Sequence, residues 1–235
     1  MAKSPTVLVT GFEPFGGELV NPSWEIARAL DGWDVPDCRD AIVATVRAAR
    51  LPCVFGAALD VLHQALARHR PVAVIALGLA ASRGDISVER VAINVDDARI
   101  PDNRGQQPID RPVCPGAPAA YWSTLPIKAI VAAWHEAGIP ASVSQSAGTF
   151  VCNHVFYGLA HRLATRRSGR GGRAQAARRE TRAGFIHVPW LAGHAGAAAQ
   201  GAMDSATAVD AVRIAIRVTL TRGEGDLELA AGALD

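Results

Sequence analysis

The chain has 235 residues, a length typical of one large α/β domain with a sizeable core. Hydrophobic residues make up 49% of the chain and charged residues 20%, a composition that fits a globular protein and excludes a disordered one. The formal net charge is only +2, so we expect neither a nucleic-acid partner nor a membrane surface.

The N-terminal segment and the cysteines indicate a cytoplasmic protein. The first residues, MAKSPTVLVTGF, lack the pattern of a secretory signal, and no run of about 18 apolar residues suggests a spanning helix. The four cysteines lie far apart and form no CxxC pair, which is typical of reduced thiols and not of a disulfide framework or a zinc site. They are Cys38, Cys53, Cys114 and Cys152.

Short, apolar, β-branched runs predict the strands. In chain order these runs are Thr6–Thr10, Ala41–Val46, Val72–Leu77, Ala141–Gln145 and Gly184–Val188. Several are apolar throughout, as in central strands that are covered on both faces. Val88–Val95 (VERVAINV) alternates instead, which predicts a strand with one wetter face near the edge of the sheet.

Segments with helical spacing of apolar residues separate these strands. They are Ser23–Leu30, with Ser23 as the expected cap, and then Ala57–His69, Leu125–Ala137 and Asp204–Leu220. Strands that alternate with helices predict an α/β fold, a three-layer α/β/α sandwich around a mixed, mostly parallel central sheet. We expect residues 1–235 to form a single catalytic domain.

Two stretches are poor core material. Ile100–Pro118 is rich in Pro, Asp and Gly and predicts a long ordered loop, of a kind that is often functional. Arg166–Arg182 holds seven arginines and one acidic residue, and we interpret it as a flexible, solvated loop between a helix and a strand. Its charge leaves open a second role, as an arm that binds an acidic partner.

The sequence SQSAGTFVCN, which ends at Asn153, carries the strongest local signal for chemistry. A predicted strand runs into a turn-permissive Ser-Ala-Gly cluster, and a helix then begins, so Cys152 lies close to a helix N-terminus. There the helix dipole favours the thiolate, and the backbone N–H groups can hold a developing oxyanion. The alternative, an inert buried thiol, stays open from local context alone.

A nucleophilic cysteine needs an oriented base, and His187 is the histidine best placed to serve. It lies near the end of the apolar strand GFIHV, and the carboxyl ends of strands line the crevice of an open α/β sheet. Glu89 interrupts an apolar strand, so a buried Glu89 must be paired, and His187 is one candidate partner. A structural histidine and an ordinary Glu–Arg pair are the alternatives.

Five motifs in one order resemble the type I pyroglutamyl peptidases, also called pyrrolidone carboxyl peptidases. The motifs are spread over nearly the whole chain: VTGFEPFGG with the NPS that follows, ISVERVAIN, RIPDNRG, SAGTFVCN and GFIHVP. The family consists of cysteine peptidases that remove an N-terminal pyroglutamyl residue from peptides without a metal or cofactor. Its members are typically cytoplasmic, and many are homotetramers.

The resemblance implies roles for individual residues. Glu89, Cys152 and His187 fall on the catalytic positions, and Arg99 falls on the position that helps to neutralise the oxyanion. The residues that match the pocket for the lactam ring are Phe12, Phe15, Asn21, Phe150 and Val151. Pyroglutamate is flat and uncharged, so apolar walls with a few polar contacts suit it.

One position departs from the family pattern. Many members carry Gln where this chain has Leu79, and that amide contacts the pyroglutamyl group. Leucine cannot form a hydrogen bond, and the lost contact is worth about 0.5–1.5 kcal/mol.

The function expected from the motifs together is that of a cysteine exopeptidase, an omega peptidase acting on pyroglutamyl peptides. The alternatives are the same hydrolase with an altered substrate, or a non-catalytic binding protein on this scaffold.

Overall fold

A computed structural model of the chain describes residues 4–168, 180–194, 201–223 and 225–232. Nine strands are present in these ranges: β1 Thr6–Phe12, β2 Asp34–Pro36, β3 Ile42–Leu51, β4 Ala73–Leu79, β5 Ile86–Glu89, β6 Val91–Ile93, β7 Ala120–Trp122, β8 Ala141–Ser144 and β9 Arg182–Val188. Five helices accompany them there: α1 Pro22–Ala29, α2 Ala57–His69, α3 Ile127–Glu136, α4 Val151–Ser168 and α5 Ser205–Thr221.

Seven of these strands form one mixed sheet in the order β2-β3-β1-β4-β9-β5-β8. The pairs β3-β1, β1-β4, β4-β9 and β5-β8 are parallel, whereas β2-β3 and β9-β5 are antiparallel. Strands β6 and β7 form a separate antiparallel pair. The expected mixed, mostly parallel sheet is confirmed.

Helices cover both faces of the sheet because the buried strands are apolar on both sides. On β1, Val7 and Val9 pack into a core with residues of α1, α3 and α5, while Leu8 packs on the opposite face with residues of α2 and α4. The side chains alternate between the two cores, as the pleat of a strand requires. The three-layer α/β/α sandwich predicted from the sequence is therefore confirmed.

Two local predictions are wrong. The cap of α1 is Asn21, not Ser23, because the Asn21 side chain accepts a hydrogen bond from the Ser23 backbone N–H in the first turn. Val88–Val95 is not one strand, since β5 ends at Glu89 and β6 pairs with β7 outside the main sheet. Strand β5 also lies inside the sheet, between β9 and β8, and not at its edge.

The loop predicted at Arg166–Arg182 is shorter than expected. Helix α4 continues to Ser168, and β9 begins at Arg182, so both ends of the predicted loop belong to regular elements. The centre of the predicted loop, residues 169–179, lies outside the described residues. In the part of the chain that the structure covers, none of the helices is both long and apolar enough to cross a membrane.

Candidate active site

The candidate site lies where three neighbouring parallel strands end. Strands β1, β4 and β9 run side by side, and their carboxyl ends bring Phe12, Leu79 and His187 to one edge of the sheet. In an open α/β sheet this edge is where ligands bind. The position of the site therefore follows from the topology.

Cys152 reaches this edge from the start of a helix. It is the second residue of α4, after a turn in which Gly148 adopts a φ of 76°. The first N–H groups of a helix have no acceptor within it, so the N–H groups around Cys152 can bind an anion. The sequence-based prediction that Cys152 lies near a helix N-terminus is confirmed.

Gly78 brings the sheet close to the cysteine sulfur. A Cβ atom on Gly78 would lie 2.8 Å from Cys152 Sγ and 2.7 Å from the ring of Phe185. Gly78 also pairs directly with His187 across strands β4 and β9. Phe185 and His187 are two residues apart on β9, so both face the layer that contains α4. Cys152 Sγ and the His187 side chain therefore lie on the same face of the sheet, beside Gly78.

His187 and Glu89 form a buried hydrogen-bonded pair. His187 Nδ1 lies 2.6 Å from Glu89 Oε1, and the two residues are 5% and 0% exposed. They come together because β5 and β9 are antiparallel neighbours, with Ser87 opposite His187. Burial by itself would raise the pKa of Glu89, but the hydrogen bond and charge of His187, the Ser144 hydroxyl and Arg83 together lower it. Glu89 is therefore a carboxylate, and the neutral imidazole carries its proton on Nδ1.

Arg83 is a second hydrogen-bond donor to Glu89. Its Nη1 donates to Glu89 Oε1 over 3.0 Å and to Ser87 Oγ, and its Nη2 donates to Ser144 Oγ over 3.1 Å. Sequence reasoning missed Arg83, because charged residues in loops are usually solvated. The available signal was its position in the loop after β4, at the carboxyl edge of the sheet.

The surroundings of the Cys152 sulfur favour the neutral thiol. Burial raises its pKa, the nearby Cys53 and Glu89 raise it further, and Arg83 lowers it. Burial likewise raises the pKa of Cys53 to about 12. This desolvation opposes the preference of the helix N-terminus for a thiolate. A nearby base must accept the thiol proton during attack, which is a role that His187 Nε2 can take.

A cavity of about 260 Å³ opens beside Cys152. Its walls include every residue that the sequence assigns to substrate binding, which are Phe12, Phe15, Asn21, Leu79, Phe150 and Val151. Cys53 also lines it, and so do Val20 and Trp190, which were not predicted. Trp190 follows His187 by only three residues, so the end of β9 serves both the base and the cavity.

Aromatic rings form one wall of this cavity. The ring centroids of Phe15 and Phe150 are 5.2 Å apart, and Phe55 packs edge-on against Phe150 at 5.4 Å. Phe12 is 2% exposed and contacts Phe185 beneath the cavity, with a centroid distance of 6.5 Å. This wall offers flat apolar surfaces that suit a small planar ring.

Asn21 shapes the cavity as well as lining it. Its Oδ1 accepts from both the backbone N–H and the hydroxyl of Ser23, and its Nδ2 donates to the Glu13 carbonyl. These bonds fix the loop between β1 and α1, which carries Phe15. One amide hydrogen remains for a polar group in the cavity.

Arg99 lies apart from the residues described so far. It is exposed, it follows the buried Ala98, and it does not line the cavity. Its loop is nevertheless anchored to the site, because Thr149 Oγ1 donates to the Asp97 carbonyl over 2.7 Å, just before α4. The structure places this loop beside the nucleophile but does not bring the Arg99 guanidinium into contact with Cys152 or His187.

The fold and the site together have the components of an α/β cysteine hydrolase: a thiol at a helix start, a histidine–glutamate pair and an adjoining cavity.

Residues 5–222 match the pyroglutamyl peptidase family. A pyrrolidone-carboxylate peptidase of Klebsiella pneumoniae is 54% identical over 228 residues, which cover 97% of this chain and 98% of that relative. One of Chromobacterium violaceum is 56% identical over 225 residues, which cover 94% and 95%.

Solved structures agree with this result. Pyroglutamyl peptidase I of Bacillus amyloliquefaciens superposes with a TM-score of 0.83 at 40% identity, over 95% of this chain and 100% of that one. A variant of the pyrrolidone carboxyl peptidase of Pyrococcus furiosus superposes with a TM-score of 0.80 at 44% identity, over 92% and 98%. The chain belongs to the pyroglutamyl peptidase family.

Proposed function

We propose that this protein is a cysteine omega peptidase that hydrolyses the amide bond after an N-terminal pyroglutamyl residue. The observation that carries the proposal is the cavity beside Cys152, which has aromatic walls and contains all six residues expected to bind the substrate. A pyroglutamyl ring has no ammonium group, so a mostly apolar cavity suits it, with Glu18 as the one acidic residue in the lining. Family membership supports the same reaction.

Each group has one role in the proposed reaction. The Cys152 sulfur attacks the carbonyl carbon while its proton passes to His187 Nε2, and Glu89 stabilises the imidazolium that forms. The backbone N–H groups at the start of α4 stabilise the oxyanion, with Arg99 as the further donor that the family resemblance implies. His187 then gives its proton to the leaving amine, and the amide C–N bond breaks.

Water completes the cycle. His187 removes a proton from a water molecule, which attacks the thioester carbonyl, and the Cys152 sulfur leaves and regains its proton. The products are free pyroglutamate and the shortened peptide. The mechanism uses protein groups alone.

Hydrolysis of a fluorogenic pyroglutamyl amide tests this function, with prolyl and alanyl amides as comparators and Cys152→Ala as the control. We expect release from the pyroglutamyl amide alone, and none from the Cys152→Ala variant. Equal rates with the three amides would contradict the substrate assignment. Normal turnover by Cys152→Ala would contradict the mechanism.

The family resemblance also supports a homotetramer that acts on pyroglutamyl peptides in the cytoplasm. Light scattering coupled to gel filtration tests the assembly at the concentrations used for kinetics. A mass of four chains is expected, and a monomeric mass would contradict this part of the proposal.

A further inference from the structure

Arg83 forms the outer layer of the site, behind Glu89. Its guanidinium donates to three side chains on two neighbouring strands: Ser87 and Glu89 on β5, and Ser144 on β8. The side chain of Arg83 is 30% exposed, whereas Glu89 is fully buried. Arg83 therefore extends from the surface to the buried carboxylate.

Both donors bind the same oxygen of Glu89. His187 Nδ1 lies 2.6 Å from Oε1, and Arg83 Nη1 lies 3.0 Å from that atom. A carboxylate on a flexible side chain can rotate about its χ angles unless something fixes it. The planar fork of arginine is suited to this, because its donors have a fixed geometry and its charge does not titrate.

The backbone of Arg83 is also fixed. Its N–H donates to the Ala80 carbonyl over 3.0 Å, in the turn that follows β4. Ser87, which accepts from Arg83, lies opposite His187 in the β5–β9 ladder. The backbone of Arg83 is thus held at the end of β4, while its guanidinium binds β5, the strand that carries Glu89 and pairs with the strand of His187.

We propose that Arg83 is a positioning residue for the reaction, holding the Glu89 carboxylate and through it the His187 imidazole in the orientation that proton transfer from Cys152 requires. This inference rests on the proposed function. Arg83 does not line the cavity, and among the three catalytic residues it is Glu89 to which it donates a hydrogen bond. Its loss should therefore affect the chemical step more than substrate binding.

The test compares three variants. Arg83→Met removes the charge and the donors but keeps an apolar stem, and Arg83→Lys keeps the charge without the fork. Arg90→Met is the matched control, because Arg90 adjoins Glu89 in sequence but bonds to Gln145 and the Ala231 carbonyl. Thermal unfolding identifies any general loss of structure, and kinetics are measured well below the lowest Tm.

We expect Arg83→Met to lower kcat roughly 10- to 100-fold, since small misplacements of catalytic groups cost this much, with KM changed less than about twofold. The Glu89–His187 pair is protonated more easily without the guanidinium, so the acid limb of the kcat/KM profile should move to higher pH. Arg83→Lys should restore the position of this limb more fully than kcat. Arg90→Met should match the wild type in kcat and in the position of the acid limb.

Two outcomes would overturn the proposal. One is that Arg83→Met and Arg90→Met behave alike. The other is that Arg83→Met loses activity equally at every pH, which is the result expected of a purely structural residue.

A readout without substrate separates this proposal from the proposed function. If Arg83 holds His187 where it can accept the Cys152 proton, Arg83→Met should slow alkylation of Cys152 at a fixed pH, and Arg90→Met should not. If the wild type cleaved no pyroglutamyl amide, the proposed function would fail, and alkylation would still decide the role of Arg83. Slower alkylation would support it, and an unchanged rate would overturn it.

Discussion

His187 Nδ1 and Glu89 Oε1 lie 2.6 Å apart, although the two residues are 98 positions apart in the chain. The contact depends on strands β5 and β9 being antiparallel neighbours in a mostly parallel sheet. Because the Nδ1 proton is held by a buried carboxylate, Nε2 is left as the proton acceptor of the imidazole. The pair therefore fixes both the tautomer and the direction of the base.

Glu89→Gln tests how much the function of His187 as a base depends on the negative charge of Glu89. The amide oxygen can still accept from His187 and Arg83, so the orientation is partly kept, but the imidazolium loses its counter-charge. We expect kcat to fall on the order of 10⁴-fold, less than for removal of the base itself. Steady-state kinetics check this, with His187→Ala as the reference. A Glu89→Gln enzyme with wild-type kcat would show that the carboxylate charge is not needed.

The raised pKa of Cys152 predicts the pH dependence of its reactivity. A group whose pKa is raised stays protonated to higher pH, so the Cys152 thiolate is scarce at neutral pH. The rate of alkylation by iodoacetamide in the absence of substrate should rise through pH 9, the ordinary value for a thiol, without levelling off. Mass spectrometry of peptides separates Cys152 from the exposed Cys38, which serves as an internal control.

A plateau of the Cys152 rate below pH 7 would contradict this prediction. Such a plateau is the signature of a thiolate–imidazolium pair that exists before substrate binds. The result would mean that the helix N-terminus outweighs desolvation at this site.

The sequence was informative where local patterns determine structure. Strand, turn and helix follow one another around Cys152, so its place at a helix start was predictable, as was the position of His187 near a strand end. The cap of α1 was missed because Asn21 and Ser23 are both good capping residues, two positions apart. The choice between them depends on backbone angles that composition does not reveal.

Contacts between distant strands were not predictable in the same way. The break between β5 and β6 separates Glu89 from Val91, although both lie in one alternating pattern. Arg83 could not be assigned, because its partners Ser87, Glu89 and Ser144 meet only through the order of strands in the sheet. Register and strand order follow from packing of the whole sheet. The strand pattern offered His187 only as one candidate partner of Glu89, and the resemblance to a family favoured that pairing.

Gly78→Ala tests the close approach of the sheet to the nucleophile. The added Cβ would lie 2.8 Å from Cys152 Sγ and 2.7 Å from Phe185, so at least one of them must move. We expect a loss of about 1–3 kcal/mol in the free energy of unfolding, as for other overpacked sites, together with a large fall in kcat. Chemical denaturation and steady-state kinetics measure the two effects.

Gly223→Ala is the matched control for this substitution. A Cβ on Gly223 would meet no atom within 4 Å, and no left-handed φ is required there. Its stability and kcat should equal those of the wild type. A Gly78→Ala variant that behaved like Gly223→Ala would show that the sulfur and the ring can shift at no cost.

Leu79→Gln tests whether the departure from the family pattern limits the activity. Leu79 lines the cavity at the end of β4, where a glutamine amide would face the lactam ring. One restored hydrogen bond is worth about 0.5–1.5 kcal/mol, or roughly a 2- to 12-fold rise in kcat/KM for a pyroglutamyl amide. Leu79→Met, which changes the shape without adding a polar group, is the control and should leave kcat/KM nearly unchanged. A fall in kcat/KM with glutamine would mean that other groups, among them the remaining amide hydrogen of Asn21, already satisfy the lactam, so that the new amide is buried without a partner.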